Sequence, residues 1–137
     1  MASKKLSIII PCYNEQSSIN KLIDNCIETI NEEVEILLVD NGSSDNTYKT
    51  LLNLNLPKNI VTYRIEKNIG YGNGILFGLK KAKGEILSWT HADLQTDISD
   101  VIRGFNFYEK ELNKKTCIVK GERKNRNIID SFFTFSM

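Results

Sequence analysis

The feature that most restricts the fold is a set of short, almost wholly apolar runs separated by stretches with helical patterning. Residues 6–10 read Leu-Ser-Ile-Ile-Ile and stop at Pro11, and residues 34–39, 60–65 and 85–90 form similar runs. Such runs are too short for helices and rich in β-branched residues, so each is expected to be a strand. Between the first two, Ile19, Leu22, Ile23, Cys26, Ile27 and Ile30 recur at helical spacing. Tyr48, Leu51 and Leu52 mark a second helix, which Asp45 is placed to cap and Pro57 to end. A glycine-rich stretch, Asn68-Ile69-Gly70-Tyr71-Gly72-Asn73-Gly74, leads into a third helix that Gly84 breaks. Ile98, Val101, Ile102, Phe105 and Leu112 share one face of a fourth, and residues 117–120 read as a brief fifth strand.

Strands that alternate with helices and are apolar on nearly every residue belong to a sheet covered on both faces. The expected fold is therefore α/β, a Rossmann-like αβα sandwich with a mainly parallel sheet. Right-handed crossovers bring all strand C-termini to one edge, where such sheets bind ligands. The polar segments 12–15, 40–45, 66–74 and 91–97 all fall on that edge. Trp89, inside the fourth strand, is expected in the core.

Several functions lose their footing at this stage. A net charge of +1 offers no dense cationic face for nucleic acid. No apolar run reaches the roughly 18–20 residues needed to span a bilayer, and Lys4 and Lys5 precede too short an apolar stretch for a signal peptide. Three scattered cysteines and one histidine suit neither a disulfide framework nor a structural zinc site, which points to a reduced, cytoplasmic setting. The chain has no G-x-G-x-x-G after its first strand, no P-loop and no G-x-S-x-G elbow. What the edge offers instead is carboxylates: Glu15, Asp40, Asp45, Asp93 and Asp97. Clustered carboxylates facing a phosphate-bearing ligand call for a hard divalent cation.

At the level of motifs, Ser7-Ile8-Ile9-Ile10-Pro11-Cys12-Tyr13-Asn14-Glu15 resembles the opening strand and loop of family 2 glycosyltransferases. Residues 34–45, ending Val39-Asp40-Asn41-Gly42-Ser43-Ser44-Asp45, resemble their second strand and acidic turn. Asn68-Ile69-Gly70 with Gly74 resembles the third-strand loop, and His91-Ala92-Asp93-Leu94-Gln95 sits at the metal motif. Asp-Leu-Gln looks like the branch that transfers sugars to polyprenyl phosphates, including dolichyl-phosphate mannosyltransferase, and Gly121-Glu122-Arg123 resembles a later Gly-x-Arg element of that branch.

The resemblance implies a GT-A type nucleotide-sugar-binding domain over residues 1–120. Residues 121–137 would be a basic and apolar tail that opens an acceptor-binding part. It implies that Pro11, Tyr13 and Glu15 hold the nucleoside of a UDP or GDP sugar, with Tyr13 stacking on the base, and that Asp40 meets the base edge or ribose. Asp93 would bind Mg²⁺ or Mn²⁺, with Gln95 in the shell or on the phosphate, and Arg123 would contact the diphosphate or a lipid phosphate. The family has Asp at the position of His91; here the imidazole is either a third metal ligand or a hydrogen-bonded loop residue. Glu15 is either a nucleoside contact or a partner of the helix dipole, and Gly70 and Gly74 serve turn geometry or close backbone approach to the donor.

The implied activity is metal-dependent sugar transfer to an acceptor such as a polyprenyl phosphate. Alternatives are transfer to a sugar hydroxyl and a catalytically incomplete nucleotide-sugar-binding domain. The tail's mixture of basic and aromatic residues fits peripheral contact with the inner face of a membrane.

Overall fold

A computed structural model describes residues 5–114 and 116–121. The elements run β1 (Leu6–Cys12), α1 (Ile19–Thr29), β2 (Val34–Asn41), α2 (Thr47–Asn53), β3 (Ile60–Ile65), α3 (Tyr71–Leu79), β4 (Ile86–Trp89) and α4 (Ile98–Leu112). The sheet is wholly parallel in the order β3-β2-β1-β4, with Ile8 opposite Ile36 on one side and Ser88 on the other. The expected α/β sandwich is what forms.

β1 and β2 are buried at every residue because helices cover both faces. On one face Ile8, Ile10, Ile36 and Leu38 pack against Ile19, Leu22 and Cys26 of α1, Leu51 of α2, and Ile98 and Phe105 of α4. On the other, Ile9, Leu37 and Val39 meet Phe77 and Leu79, which come from α3. α3 lies very close to the sheet: a methyl group at Gly78 would sit 2.5 Å from Cγ2 of Ile9. Burial drives the thiols of Cys12 and Cys26 well above the ordinary thiol range, so both behave as core residues.

Two sequence expectations fail. Trp89 is 50% exposed, and Leu87, two residues earlier on the same face, is exposed as well. β4 ends the strand order, and α3 covers that face over β1 and β2 without burying Leu87 or Trp89. Apolar composition alone does not distinguish an edge strand from a central one. Residues 117–120 form no strand, and Ile118 and Val119 are exposed. Arg123 and the apolar tail beyond it lie outside the described residues.

The strand N-termini are locked by a buried polar cluster. Glu35 accepts hydrogen bonds from Ser7 Oγ at 2.6 Å and from the Lys83 N–H at 2.5 Å, while Ser7 Oγ accepts from the Gly84 N–H at 2.7 Å. These bonds seat the turn between α3 and β4 directly on β1. A methyl group at Gly84 would lie 2.6 Å from both Ser7 N and Ser7 Oγ and 2.8 Å from the Leu6 carbonyl carbon. Backbone cannot yield there as a flexible side chain would. Gly84→Ala is therefore expected to lower stability by about 1–3 kcal/mol, read as a fall in the urea midpoint with unchanged slope.

Candidate functional site

All four strands are parallel, so the loops after β1, β2, β3 and β4 meet on one edge. Asp40 at the end of β2 and Asp93 after β4 share that edge.

The first two loops are stitched together. Asn14 takes the left-handed conformation (φ 55°), which turns its side chain toward the loop after β2. Its Oδ1 accepts from the Ser44 N–H at 2.9 Å, and its own N–H donates to Ser43 Oγ at 2.9 Å. The Glu15 N–H donates to Thr47 Oγ1 at 2.8 Å, and the Gln16 N–H to Asp45 Oδ2 at 3.1 Å. Asp45 Oδ1 accepts from the Thr47 N–H at 2.9 Å, but the N-cap of α2 is Asn46, which makes no side-chain cap bond, so Asp45 braces the helix start from one position earlier than expected. Burial raises the Asp45 pKa, but the bonds from Thr47 and Gln16 outweigh it and hold the carboxyl below its usual range. The Glu15 carboxylate accepts from Ser18 Oγ at 2.5 Å, just ahead of α1. Tyr13, 46% exposed, is the open aromatic of this loop.

The end of β2 sends consecutive side chains to opposite faces. Asp40 continues the face of Ile36 and Leu38, is fully buried, and pairs with Arg64 Nη1 at 3.1 Å. The Arg64 guanidinium lies 4.3 Å from the ring centroid of Tyr48. Asp40 Oδ1 accepts no hydrogen bond among the described residues. Asn41, on the other face, is nearly buried and ties down the glycine-rich loop. Its Oδ1 accepts from the Ile69 N–H at 3.2 Å, and its Nδ2 donates to the Gly70 carbonyl at 3.1 Å. Gly42 has φ +71°, and a methyl group there would run into the backbone of Lys67 and Asn68; the two loops can touch only with glycine at that point.

A cavity of about 290 Å³ opens between these loops, lined by Pro11, Cys12, Tyr13, Asn41, Asn68, Gly70 and Tyr71. Of the residues expected to hold a nucleotide, Pro11, Tyr13 and Gly70 line it. Gly74 sits just behind, its Cα hydrogen position facing Pro11 and Asn41 at 3.3–3.5 Å from where a methyl carbon would reach. Asp40 and Glu15 do not line it. Asn41, Asn68 and Tyr71 do, and the sequence motifs do not mark their side chains. The available signal was their place in the polar turn and the glycine-rich stretch. Arg64, the only charged residue of β3, was missed because its partner lies on the neighbouring strand, 24 positions earlier.

The loop after β4 carries the remaining candidates. Asp93 is exposed, and its Oδ1 accepts from the Gln95 N–H at 3.0 Å. Leu94 has φ 62°, and its side chain packs against the core beneath α4. The ring of His91 stacks on Tyr71, with centroids 5.1 Å apart and planes within 6°. Burial and the nearby charge of Asp93 raise the Tyr71 phenol above its usual pKa. Among the described residues no three His, Cys, Asp or Glu side chains converge as a metal cluster. Asp93 is an exposed carboxylate outside any such cluster, a donor that suits a cation held chiefly by substrate phosphates.

The description "Glycosyl transferase family 2" matches residues 7–128, nearly the whole chain. The chain belongs to this family. Similar solved structures include S. aureus TarS 1–349 in complex with UDP-GlcNAc, at 24% identity and TM-score 0.62, over 77% of this chain and 32% of that one. Another is the mannosyltransferase PcManGT from Pyrobaculum calidifontis in complex with GDP-Man and Mn²⁺, at 25% identity and TM-score 0.56, over 68% of this chain and 30% of that one. A longer TarS structure matches with TM-score 0.60 over 20% of its length. The chain therefore spans between a fifth and a third of the proteins it resembles.

Two outcomes test the stitching of the first loops. Asn14→Ala removes an acceptor and is expected to cost about 1–2 kcal/mol in urea unfolding at pH 7. Asp45 has a lowered folded pKa, so its stabilisation is complete above the unfolded value near 3.9 and disappears as pH falls through the lower folded value. The stability gap between wild type and Asp45→Asn should accordingly be open at pH 7 and narrow on acidification below about 3.9.

Proposed function

We propose that this domain binds a nucleotide-diphosphate sugar at the edge of the sheet and belongs to an enzyme that transfers the sugar to a polyprenyl phosphate. The observation that carries the binding half is the cavity between the β1, β2 and β3 loops, which has an aromatic ring of Tyr13 on its wall and amides of Asn41 and Asn68 beside it. An aromatic surface with few placed amides suits a heterocyclic base. The complexes of relatives with UDP-GlcNAc and with GDP-Man and Mn²⁺ support the same ligand class.

In this reading Pro11 and Tyr13 shape the base side of the cavity, and the carbonyl of Gly70 is fixed by Asn41. Asp40 lies outside the lining, held by Arg64, and its Oδ1, without a partner among the described residues, is the acceptor this reading offers to the base edge or ribose. Asp93 would hold Mg²⁺ or Mn²⁺, with Gln95 alongside it. When bound, the cation would withdraw charge from the departing diphosphate. The acceptor assignment rests on Asp93-Leu94-Gln95, which resembles the polyprenyl-phosphate branch. A phosphate acceptor is already an anion, so no protein side chain need remove a proton from it. Among the described residues no helix is long and apolar enough to cross a membrane, and membrane contact is assigned to the part beginning near residue 121.

Thermal melts with UDP or GDP and Mn²⁺ test the proposal. At 100 times its dissociation constant a ligand adds about 2.7 kcal/mol, so the melting temperature should rise by roughly 5 °C or more. Asp93→Asn, which keeps an oxygen to accept from the Gln95 N–H, should remove most of the Mn²⁺-dependent part of that rise and leave the unliganded melt unchanged. A wild-type chain that neither nucleotide shifts, with or without Mn²⁺, would contradict the nucleotide-sugar reading.

A further inference from the structure

We propose that Tyr71 is a second stacking wall for the nucleotide base and that His91 is the positioning residue that holds it. The proposal rests on the nucleotide reading of the same cavity. Tyr13 already had a place in that reading; Tyr71 had none.

Tyr71 lines the cavity together with Tyr13, and both rings are left substantially open, at 44% and 46% exposure. An aromatic ring kept open at a cavity wall gains most by laying a flat ligand against it, and every base offers a π-face. A freely rotating ring would lose part of that gain to ordering. Tyr71 does not stand alone, because the imidazole of His91 lies parallel to it at 5.1 Å between centroids. At that separation two parallel rings are offset-stacked, a favoured aromatic arrangement. His91 comes from the loop after β4 and Tyr71 opens α3, so the contact joins two separate loops. One face of the phenol is occupied by the imidazole, and in this proposal the base lies against the other.

The same contact explains a histidine in front of Asp93. Tyr71 lines the base cavity, and through His91 it touches the loop that carries Asp93, the carboxylate expected to meet the diphosphate. That order suits a ligand with a flat ring at one end and anionic phosphates at the other. A second carboxylate at position 91 would have no ring to offer Tyr71. His91 is thereby given the work of a shelf, and its nitrogens are not needed for the cation.

Calorimetric titration of UDP and GDP at saturating Mn²⁺ separates these roles, using wild type, Tyr71→Ala, Tyr71→Phe, His91→Ala and His91→Phe. Melting curves confirm that each variant is folded. Tyr71→Ala should weaken binding by roughly tenfold, the scale of one base–aromatic stack, and Tyr71→Phe should stay within about twofold of wild type. His91→Ala should weaken binding by about threefold or more, and His91→Phe, which keeps a ring but no nitrogen, should stay close to wild type. Wild-type affinity in Tyr71→Ala would overturn the stacking wall. Equal loss in Tyr71→Phe and Tyr71→Ala would make the hydroxyl the contact and overturn it as well. Equal loss in His91→Phe and His91→Ala would put an imidazole nitrogen on the cation or phosphate and overturn the shelf. A wild-type chain that binds neither nucleotide would overturn the cavity's nucleotide role, and this proposal with it.

Discussion

The arrangement follows from one constraint: β1 and β2 are buried along their full length, on both faces, up to the edge where ligands would sit. Any polar group on their last residues must find its partner inside the protein. Asp40 finds Arg64 across the sheet, and Asn41 finds the backbone of Ile69 and Gly70. The loops after these strands are accordingly not free appendages. They are fastened to one another by the needs of the strand ends, and the cavity is the gap left where three fastened loops fail to meet.

Opposite pleating at the end of β2 divides two adjacent polar residues between different tasks. Asp40 belongs to the layer beneath α1 and α2, where its carboxylate is matched by a guanidinium resting on Tyr48. Asn41 belongs to the α3 side, where an amide is the right chemistry because it both donates to Gly70 and accepts from Ile69. A carboxylate at that position could accept but not donate. The pair illustrates why neighbouring residues of one turn need not share a function.

The alternation of elements was legible because it is local: β-branched runs and helical stripes are written within ten or fifteen residues. The parallel sheet and the shared edge followed from that alternation. Legibility ended where the answer depended on distant partners. Trp89 reads as core from its apolar neighbours, yet the outer position of β4 leaves it half exposed. Residues 117–120 have strand composition but form no strand among the described residues. In the site, Tyr13 and the glycines could be named from motifs that lie together in the chain. Arg64, Tyr71 as partner of His91, and the role of Asn14 as a bridge between loops could not, because each is defined by a residue twenty or more positions away.

Leu94 joins the core to the candidate metal loop. Its left-handed backbone is unfavourable for a leucine by about 1–2 kcal/mol, and its side chain packs against the cluster that contains Ile98 and Phe105. The turn is therefore held by an anchor rather than by conformational ease. Glycine would suit the backbone there and lose the anchor; a β-branched residue would aggravate the backbone conflict. The tolerance of this position to substitution is thus set by two opposed demands, and the aim of the adjacent Asp93 carboxylate depends on the compromise between them.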